Sequence, residues 1–471
     1  RRNNENYCRE CKAKIKYHKT ELLYNWKLFT ITKNNLTICL IAKQTIIQYI
    51  LVQILGVNMN SPGSSVLRDT VTVILAGGQG ERLHPLTAVR SKPAVPFGGK
   101  YRIIDFALSN CLNSGFRRVY VLTQYKSDSL NMHLYEAWSI FNPELGEFIY
   151  SVPPQRKLNN EWYLGTANAI HQNLNLFSDK KAKWVLILGG DHIYKMDYLK
   201  FLDNHIDQSA DLSIACLEVP KDEASRFGIV GVDDKYNVLS FIEKPANPPQ
   251  IPDMPGLSFV NMGIYVFNAK VLKDVLQEME SKKIKNHDFG QHVIPYMIES
   301  KLKVVAYKFR DENKKTQPYW KDIGTLDSYY AANMDLISVI PEFNLYDPDW
   351  PLRTYQYQYP PAKTVSHEGE RVGRTLNSLV CDGTIVSGGL VERSLLGSNV
   401  KVNSYSYITD SIIMNNVTIG RHARIRRAII DKNVIIPEGY EIGFDPEGDK
   451  KKFTVTDTGI VVIAKNKVLP E

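Results

Sequence analysis

What this 471-residue chain has little of narrows its chemistry before anything present in it does. Cysteine is sparse. Cys8, Cys11, Cys39, Cys111, Cys216 and Cys381 are scattered and form no disulfide framework, which points to a reducing compartment and, we expect, a cytoplasmic location. Cys8 and Cys11 make one C-x-x-C, without the second Cys/His pair that a structural zinc site needs. Long apolar runs are missing too. Leu36 to Val57 is apolar on average, but Lys43, Gln44, Gln48 and Gln53 interrupt it, so it makes a poor membrane span. Excess charge is missing from the body of the chain. Of the formal net charge of +8, residues 1–58 carry +7 and the remainder only +1. Neither nucleic acid nor a membrane surface is therefore an expected partner. No Ser/His/Asp or Cys/His arrangement for nucleophilic catalysis is apparent.

Residues 1–58, rich in Asn, Lys and Ile, look foreign to the rest. Met59 opens a short polar lead, MNSPGSSVLRD, into the first strong strand pattern. We expect Met59 to be the natural start and residues 1–58 to be an extension; a transit segment is the alternative, disfavoured by its interior acids and few serines. Beyond it we expect an α/β domain over 59–348, a Tyr- and Pro-rich linker over 349–370, and a second domain over 371–471.

The segment from Val71 to Asn110 carries the densest information. Its apolar run Val71–Leu75 breaks into a loop with Gly77, Gly78 and Gly80, followed by Arg82 and then Lys92-Pro93. That pattern is a buried strand feeding a glycine-rich turn. Glycines let backbone N–H groups approach an anion closely, and concave sets of such groups bind phosphate. Arg82 and Lys92 can neutralise a polyphosphate, one as a planar fork and the other as a point charge. No Gly-Lys-Ser/Thr follows, so this is not a Walker loop, and Leu83 stands where a dinucleotide fingerprint needs its third glycine. Further strand patterns at Val119–Thr123, Trp184–Leu188, Leu212–Val219, Val238–Ile242 and Gly263–Phe267 alternate with helical ones. They imply a mostly parallel sheet with ligands at the carboxyl ends of its strands. Asp191 follows one such strand and Asp322 precedes a Gly-Thr turn. By position alone the first reads as a turn aspartate and the second as a helix-entry residue.

The combination G-G-x-G-x-R-L followed by S-K-P resembles the signature of the nucleoside-diphosphate-sugar pyrophosphorylases. The continuation FGGKYRIIDFALSNCLNSGFRRVYVLTQYKS is similar to the glucose-1-phosphate adenylyltransferases among them. The resemblance runs from about Val71 to the C-terminal end. It implies a Rossmann-like nucleotidyltransferase domain. The expected reaction is transfer of AMP from ATP to α-D-glucose 1-phosphate, giving ADP-glucose, the glucosyl donor for glycogen or starch, and pyrophosphate. It makes Asp191 in GDHIYK and Asp322 in YWKDIGT the Mg²⁺ ligands, and Arg82, Lys92 and Asp191 the catalytic set. Gly77, Gly78, Gly80, Gln155, Gly165 and Thr166 would line the nucleotide. Tyr163, Gly228, Glu243, Lys244 and Asn261 would contact glucose 1-phosphate. Asn261 departs from the serine common at that position. The family is typically a homotetramer with effectors, a sugar phosphate among them, bound between domains; its regulatory positions match only partly, through Arg90, Lys465 and Lys467, with Arg102 and Lys432 at inhibitor-site positions. A noncatalytic regulatory subunit and a different base are the competing readings. The presence of all the loop cations and both carboxylates favours activity.

The last third repeats every 17 residues. Leu395, Ile412 and Ile429 form one column, Val400, Val417 and Val434 a second, Val402, Ile419 and Ile436 a third, and Val391, Ile408, Ile425 and Ile442 a fourth. Four apolar columns in register predict a solenoid, and about three short strands per coil predict a left-handed parallel β-helix.

Overall fold

A strand as β-branched and apolar as Val71–Leu75 is stable only where both faces are covered. In the computed structural model, which describes residues 62–155, 162–178, 182–285, 287–315, 317–367, 369 and 371–470, it is β1, Thr70–Ala76, with a parallel neighbour on each side. The expectations for residues 1–58, for Met59 as the start and for Cys8 and Cys11 lie outside the described residues. The main sheet continues with β2 (Arg118–Thr123), β3 (Phe148–Val152), β4 (Trp184–Gly189), β5 (Leu212–Pro220), β6 (Gly228–Val232), β7 (Val238–Glu243), β8 (Leu257–Asn268) and β9 (Val304–Lys308). Its order is β7-β6-β8-β4-β1-β2-β3, with β5 pairing both β8 and β9. The strands β4, β1, β2 and β3 are parallel, whereas β8 runs antiparallel to β4, β5 and β6. β8 begins before the expected Gly263 because its first half pairs with β5 and β6 ahead of a register shift between Asn261 and Tyr265.

Parallel strands present their carboxyl ends at one edge, so the loops after β1, β2 and β4 share a crevice. One further element completes it. The short strand Trp320–Asp322 pairs antiparallel with His192–Tyr194, directly beyond β4, and sets Asp322 opposite His192.

The repeat folds as the columns require. Leu395, Ile412 and Ile429 are direct parallel partners, as are Val391, Ile408, Ile425 and Ile442, and Val402, Ile419 and Ile436. Three stacked sheets result, those of a left-handed parallel β-helix. The coil also turns on an asparagine ladder. Asn399, Asn416, Asn433 and Asn466 have φ of 58°, 62°, 61° and 60°, and each side-chain amide donates to the next at 3.0, 3.1 and 2.9 Å. Asparagine tolerates the left-handed region, and its amide here satisfies its neighbour's. The linker boundary needs correction: Lys363–Val365 already pairs with Ile385–Ser387, so the coils begin before residue 370. The Tyr- and Pro-rich composition just upstream masked this short strand.

The β-helix packs against the loop side of the α/β half. Leu83, Leu86, Ile323 and Tyr329 share one apolar cluster with Leu395, Ile412, Ile429 and Val462. Tyr330 donates to the Asp410 carbonyl across this junction at 2.7 Å. Because Ile425 is fully buried in the stack, Ile425→Ala is expected to lower stability by about 2–5 kcal/mol. A urea-unfolding free energy lowered by less than about 0.5 kcal/mol would contradict the column's role.

Candidate active site

The glycine loop is shaped by crowding as much as by flexibility. Gly80 has φ of 65° and leads into the 3-10 turn Glu81–Leu83. A Cβ there would stand 2.9 Å from the Lys92 Cβ, so the loop closes onto the lysine only because residue 80 has no side chain. Gly77 lies against Gln124 in the same way: a Cβ would come within 3.2 Å of the Gln124 Cβ. Gln124, at the end of β2, donates to the Tyr163 carbonyl at 3.3 Å and so joins the loop to the segment expected at the nucleotide. A cavity of about 400 Å³ borders the loop, with Gln79, Thr87, Arg90, Ser91, Tyr125 and Lys126 in its wall.

Opposite the loop stand the two carboxylates. The Lys92 ammonium donates to Asp191 Oδ2 at 2.8 Å and to Asp322 Oδ1 at 2.9 Å. The lysine side chain is only 8% exposed, whereas the two carboxylates are about one-third open. Burial pulls the Lys92 pKa down, but the two carboxylates outweigh it and raise it above the ordinary value. Burial likewise pushes the Asp191 carboxyl up. The Lys92 and His192 charges and the lysine hydrogen bond outweigh that and hold it at about 2. His192 lies beside the pair: one ligand atom each from Asp191, His192 and Asp322 fall within 4.8 Å of one another. Its Nδ1 is buried without a hydrogen-bond partner among the described residues. Two carboxylates converging on one cation are a donor set that suits a hard divalent ion such as Mg²⁺. Arg82 is exposed at the mouth, and its guanidinium would lie 3.1 Å from a Cβ on Gly324, just past Asp322.

The residues expected at the sugar phosphate lie along two neighbouring strands. Gly228 begins β6 directly opposite Glu243 in β7, where a Cβ would meet the Phe241 ring at 2.7 Å. Lys244 follows with φ of 47°, its amide donating to the Phe227 carbonyl at 3.0 Å and its ammonium 3.5 Å from Glu243. A left-handed lysine before proline is an uncommon conformation, and it turns this side chain away from the strand's regular alternation. Asn261 is engaged locally: its amide donates to the Tyr265 hydroxyl at 2.9 Å and its carbonyl accepts from the Gly263 amide at 3.0 Å. A Cβ on Gly263 would stand 3.5 Å from the His192 ring, so this bulge adjoins the carboxylates. Tyr163 is buried, and its hydroxyl accepts from Asn173 at 2.9 Å. Gly165 and Thr166 are docked on the segment at His287, with the Thr166 hydroxyl donating to Asp288 at 3.0 Å. Gln155 is exposed and donates to the Pro153 carbonyl at 3.1 Å. Sequence reasoning passed over His192 and Gln124. His192 directly follows Asp191, but only the short pairing with Trp320–Asp322 shows that it borders both carboxylates.

Comparison with known proteins decides the family. Residues 71–339 match a family described as nucleotidyl transferase, and residues 360–463 match one described as GlmU-like C-terminal hexapeptide. The chain is 50% identical over 402 residues to glucose-1-phosphate adenylyltransferase 2 of Vibrio cholerae, covering 85% of this chain and 98% of that protein. It is 50% identical over 404 residues to glucose-1-phosphate adenylyltransferase of Nitrosomonas europaea, and 50% over 400 residues to that of Methylococcus capsulatus. Each match covers 85% of this chain, with 93% and 94% of those relatives. The chain belongs to the glucose-1-phosphate adenylyltransferase family.

In this adenylyltransferase-family chain the expected effector cations gather at the junction of the two halves, with one exception. Arg90 donates to Asp431 at 2.6 Å, and both side chains are 3% exposed or less. Arg102 donates to the Ser129 carbonyl at 2.6 Å and hydroxyl at 2.9 Å, and burial lowers its pKa. It lines a crevice with Lys100, Tyr101, His133 and Lys432. Lys432 is pushed down to about 7, first by burial and then by Arg102, Arg90 and Lys465. Lys467 is exposed in the turn beyond. A lysine whose folded pKa is about 7 against an ordinary 10.5 is neutral in the fold and charged in the unfolded chain between those values. The unfolded state then binds more protons, so this group makes stability rise with pH across that window. Lys432→Met should lack that increment. Urea midpoints of both forms compared at neutral pH and at about pH 9 check it, and parallel pH profiles would contradict it.

Proposed function

We propose that this chain transfers AMP from ATP to α-D-glucose 1-phosphate, forming ADP-glucose and pyrophosphate. The observation that carries the reading is the convergence on one crevice of the glycine loop, Lys92, Asp191 and Asp322, drawn from positions far apart in the sequence. The half-identity to proteins bearing that activity's name, over nearly their whole length, supports the choice of substrates.

The nucleophile is a phosphate oxygen that is already anionic, so no general base is required, and catalysis rests on positioning and charge stabilisation. Asp191 and Asp322 would hold Mg²⁺, which when bound supplies charge neutralisation at the reacting phosphates. The loop amides from Gly77 to Gly80, Arg82 and Lys92 hold the departing pyrophosphate. Lys244, with Glu243 beside it, holds the attacking sugar phosphate, and Gly228 leaves room for it. Tyr163, Asn261 and the Gly165–Thr166 edge shape the rest of the crevice, with Gln155 at the base. The cation cluster of Arg102, Lys432 and Lys465 suits a phosphorylated effector, and a homotetramer is the assembly we assign. Among the described residues no helix is long and apolar enough to cross a membrane. A cytoplasmic enzyme supplying the glucosyl donor for glycogen fits these substrates.

Pyrophosphate release with Mg²⁺ and glucose 1-phosphate is expected with ATP and not with UTP, dTTP or GTP. Release with another nucleotide would overturn the base assignment, and none from the folded protein would favour a noncatalytic subunit. Asp191→Asn is expected to cut turnover by roughly 10²–10³ or more with folding retained. Lys244→Ala is expected chiefly to raise the KM for glucose 1-phosphate, and an unchanged KM would remove Lys244 from the sugar-phosphate site.

A further inference from the structure

Three cations could compete for the ground between Asp191 and Asp322: the Lys92 ammonium, the Arg82 guanidinium and a divalent metal. The lysine holds it here, donating to both carboxylates at 2.8 and 2.9 Å from a side chain 8% exposed. The root of that side chain is fixed, because the Gly80 backbone packs against the Lys92 Cβ so closely that a methyl group would stand 2.9 Å away. Only the outer methylenes are left to move, and their ammonium rests on the two carboxylates.

We propose that Lys92 is the resident counter-ion of the metal site: its ammonium and a divalent cation exclude each other between Asp191 and Asp322. The inference rests on the reading of those aspartates as metal ligands. Its physical basis is that a divalent ion sitting about 2.0–2.1 Å from carboxylate oxygens of both aspartates must lodge within a few ångströms of an ammonium that already engages one oxygen of each. Two positive charges also repel strongly at such separation when they share a partly buried cradle. Metal alone therefore enters at the cost of the lysine's two charge-assisted hydrogen bonds. A polyphosphate lying on the loop amides offers the ammonium an alternative partner within reach of its stem, so nucleotide and metal enter as a coupled pair. Lys92 then has two successive partners, the carboxylates before substrate arrives and the phosphates after. This is a switching role that its place in the S-K-P motif does not disclose.

The test measures Mn²⁺ binding by electron paramagnetic resonance, on the full chain without nucleotide. Wild type, Lys92→Met and Lys92→Gln are compared, with Asp191→Asn as the reference for the site. Circular dichroism confirms that each is folded, and the second lysine variant covers the case where the first is not. The expected result is that removing the ammonium tightens Mn²⁺ binding at least tenfold, and that Asp191→Asn abolishes it. If the lysine variants bind Mn²⁺ no more tightly than wild type while Asp191→Asn still abolishes binding, the exclusion is overturned and the metal site stands. If Asp191→Asn leaves Mn²⁺ binding unchanged, the metal-site reading itself fails and the exclusion falls with it.

Discussion

The bridge from one ammonium to two carboxylates organises the rest of this molecule. Lys92 comes from the turn after the glycine loop, Asp191 from the end of β4, and Asp322 from a short strand that returns from the far end of the α/β half. Left alone, two carboxylates this close repel, and a buried lysine without partners is costly. Together they satisfy one another, and each holds its loop in place. The sheet contributes by putting three strand ends at one edge. The glycine at position 80 contributes by letting the loop collapse onto the lysine.

The same loop is held from behind by the β-helix. Leu83 and Leu86 lie just past Arg82 and are buried against coil residues Leu395, Ile412 and Ile429. Arg90, two residues before Lys92, is paired with Asp431 on the coil next to Lys432. The cation cluster at the junction and the glycine loop are thus joined by a short run of backbone and one buried ion pair. Breaking such a pair strands a buried charge, so the two halves are expected to respond to each other rather than behave as independent domains. The apolar columns of the coil give this backing rigidity, since the residues of the Val391, Leu395 and Val402 columns are each stacked on their equivalents one turn away.

Much of this was readable in the chain. Strand β1 was evident from its β-branched run, the loop from its glycines, and the coils from columns repeating at fixed spacing, because each is a local or periodic property. The pairing of Asp191 with Asp322 was suggested only by family resemblance, since the two have nothing local that links them. The strand Lys363–Val365 was missed because three residues carry too little pattern beside a Tyr- and Pro-rich stretch. The place of His192 at the carboxylates was missed because it depends on the pairing with Trp320–Asp322. The local engagement of Asn261 was likewise hidden, as it arises from a bulge in β8 that only the partner strands define.

Residue identity and order alone determined the strand-loop chemistry, the coil period and the even charge balance of the body, for these need no knowledge of what lies across the fold. Tertiary structure alone decided which charges meet. Lys92 lies between Asp191 and Asp322 because a parallel sheet brings its loops to one edge. Arg90 faces Asp431 because apolar burial docks the coil behind the loop. Coulomb interactions act through space over a few ångströms, whereas sequence records only neighbours along the chain, and at these two places the distance that matters is set by folding.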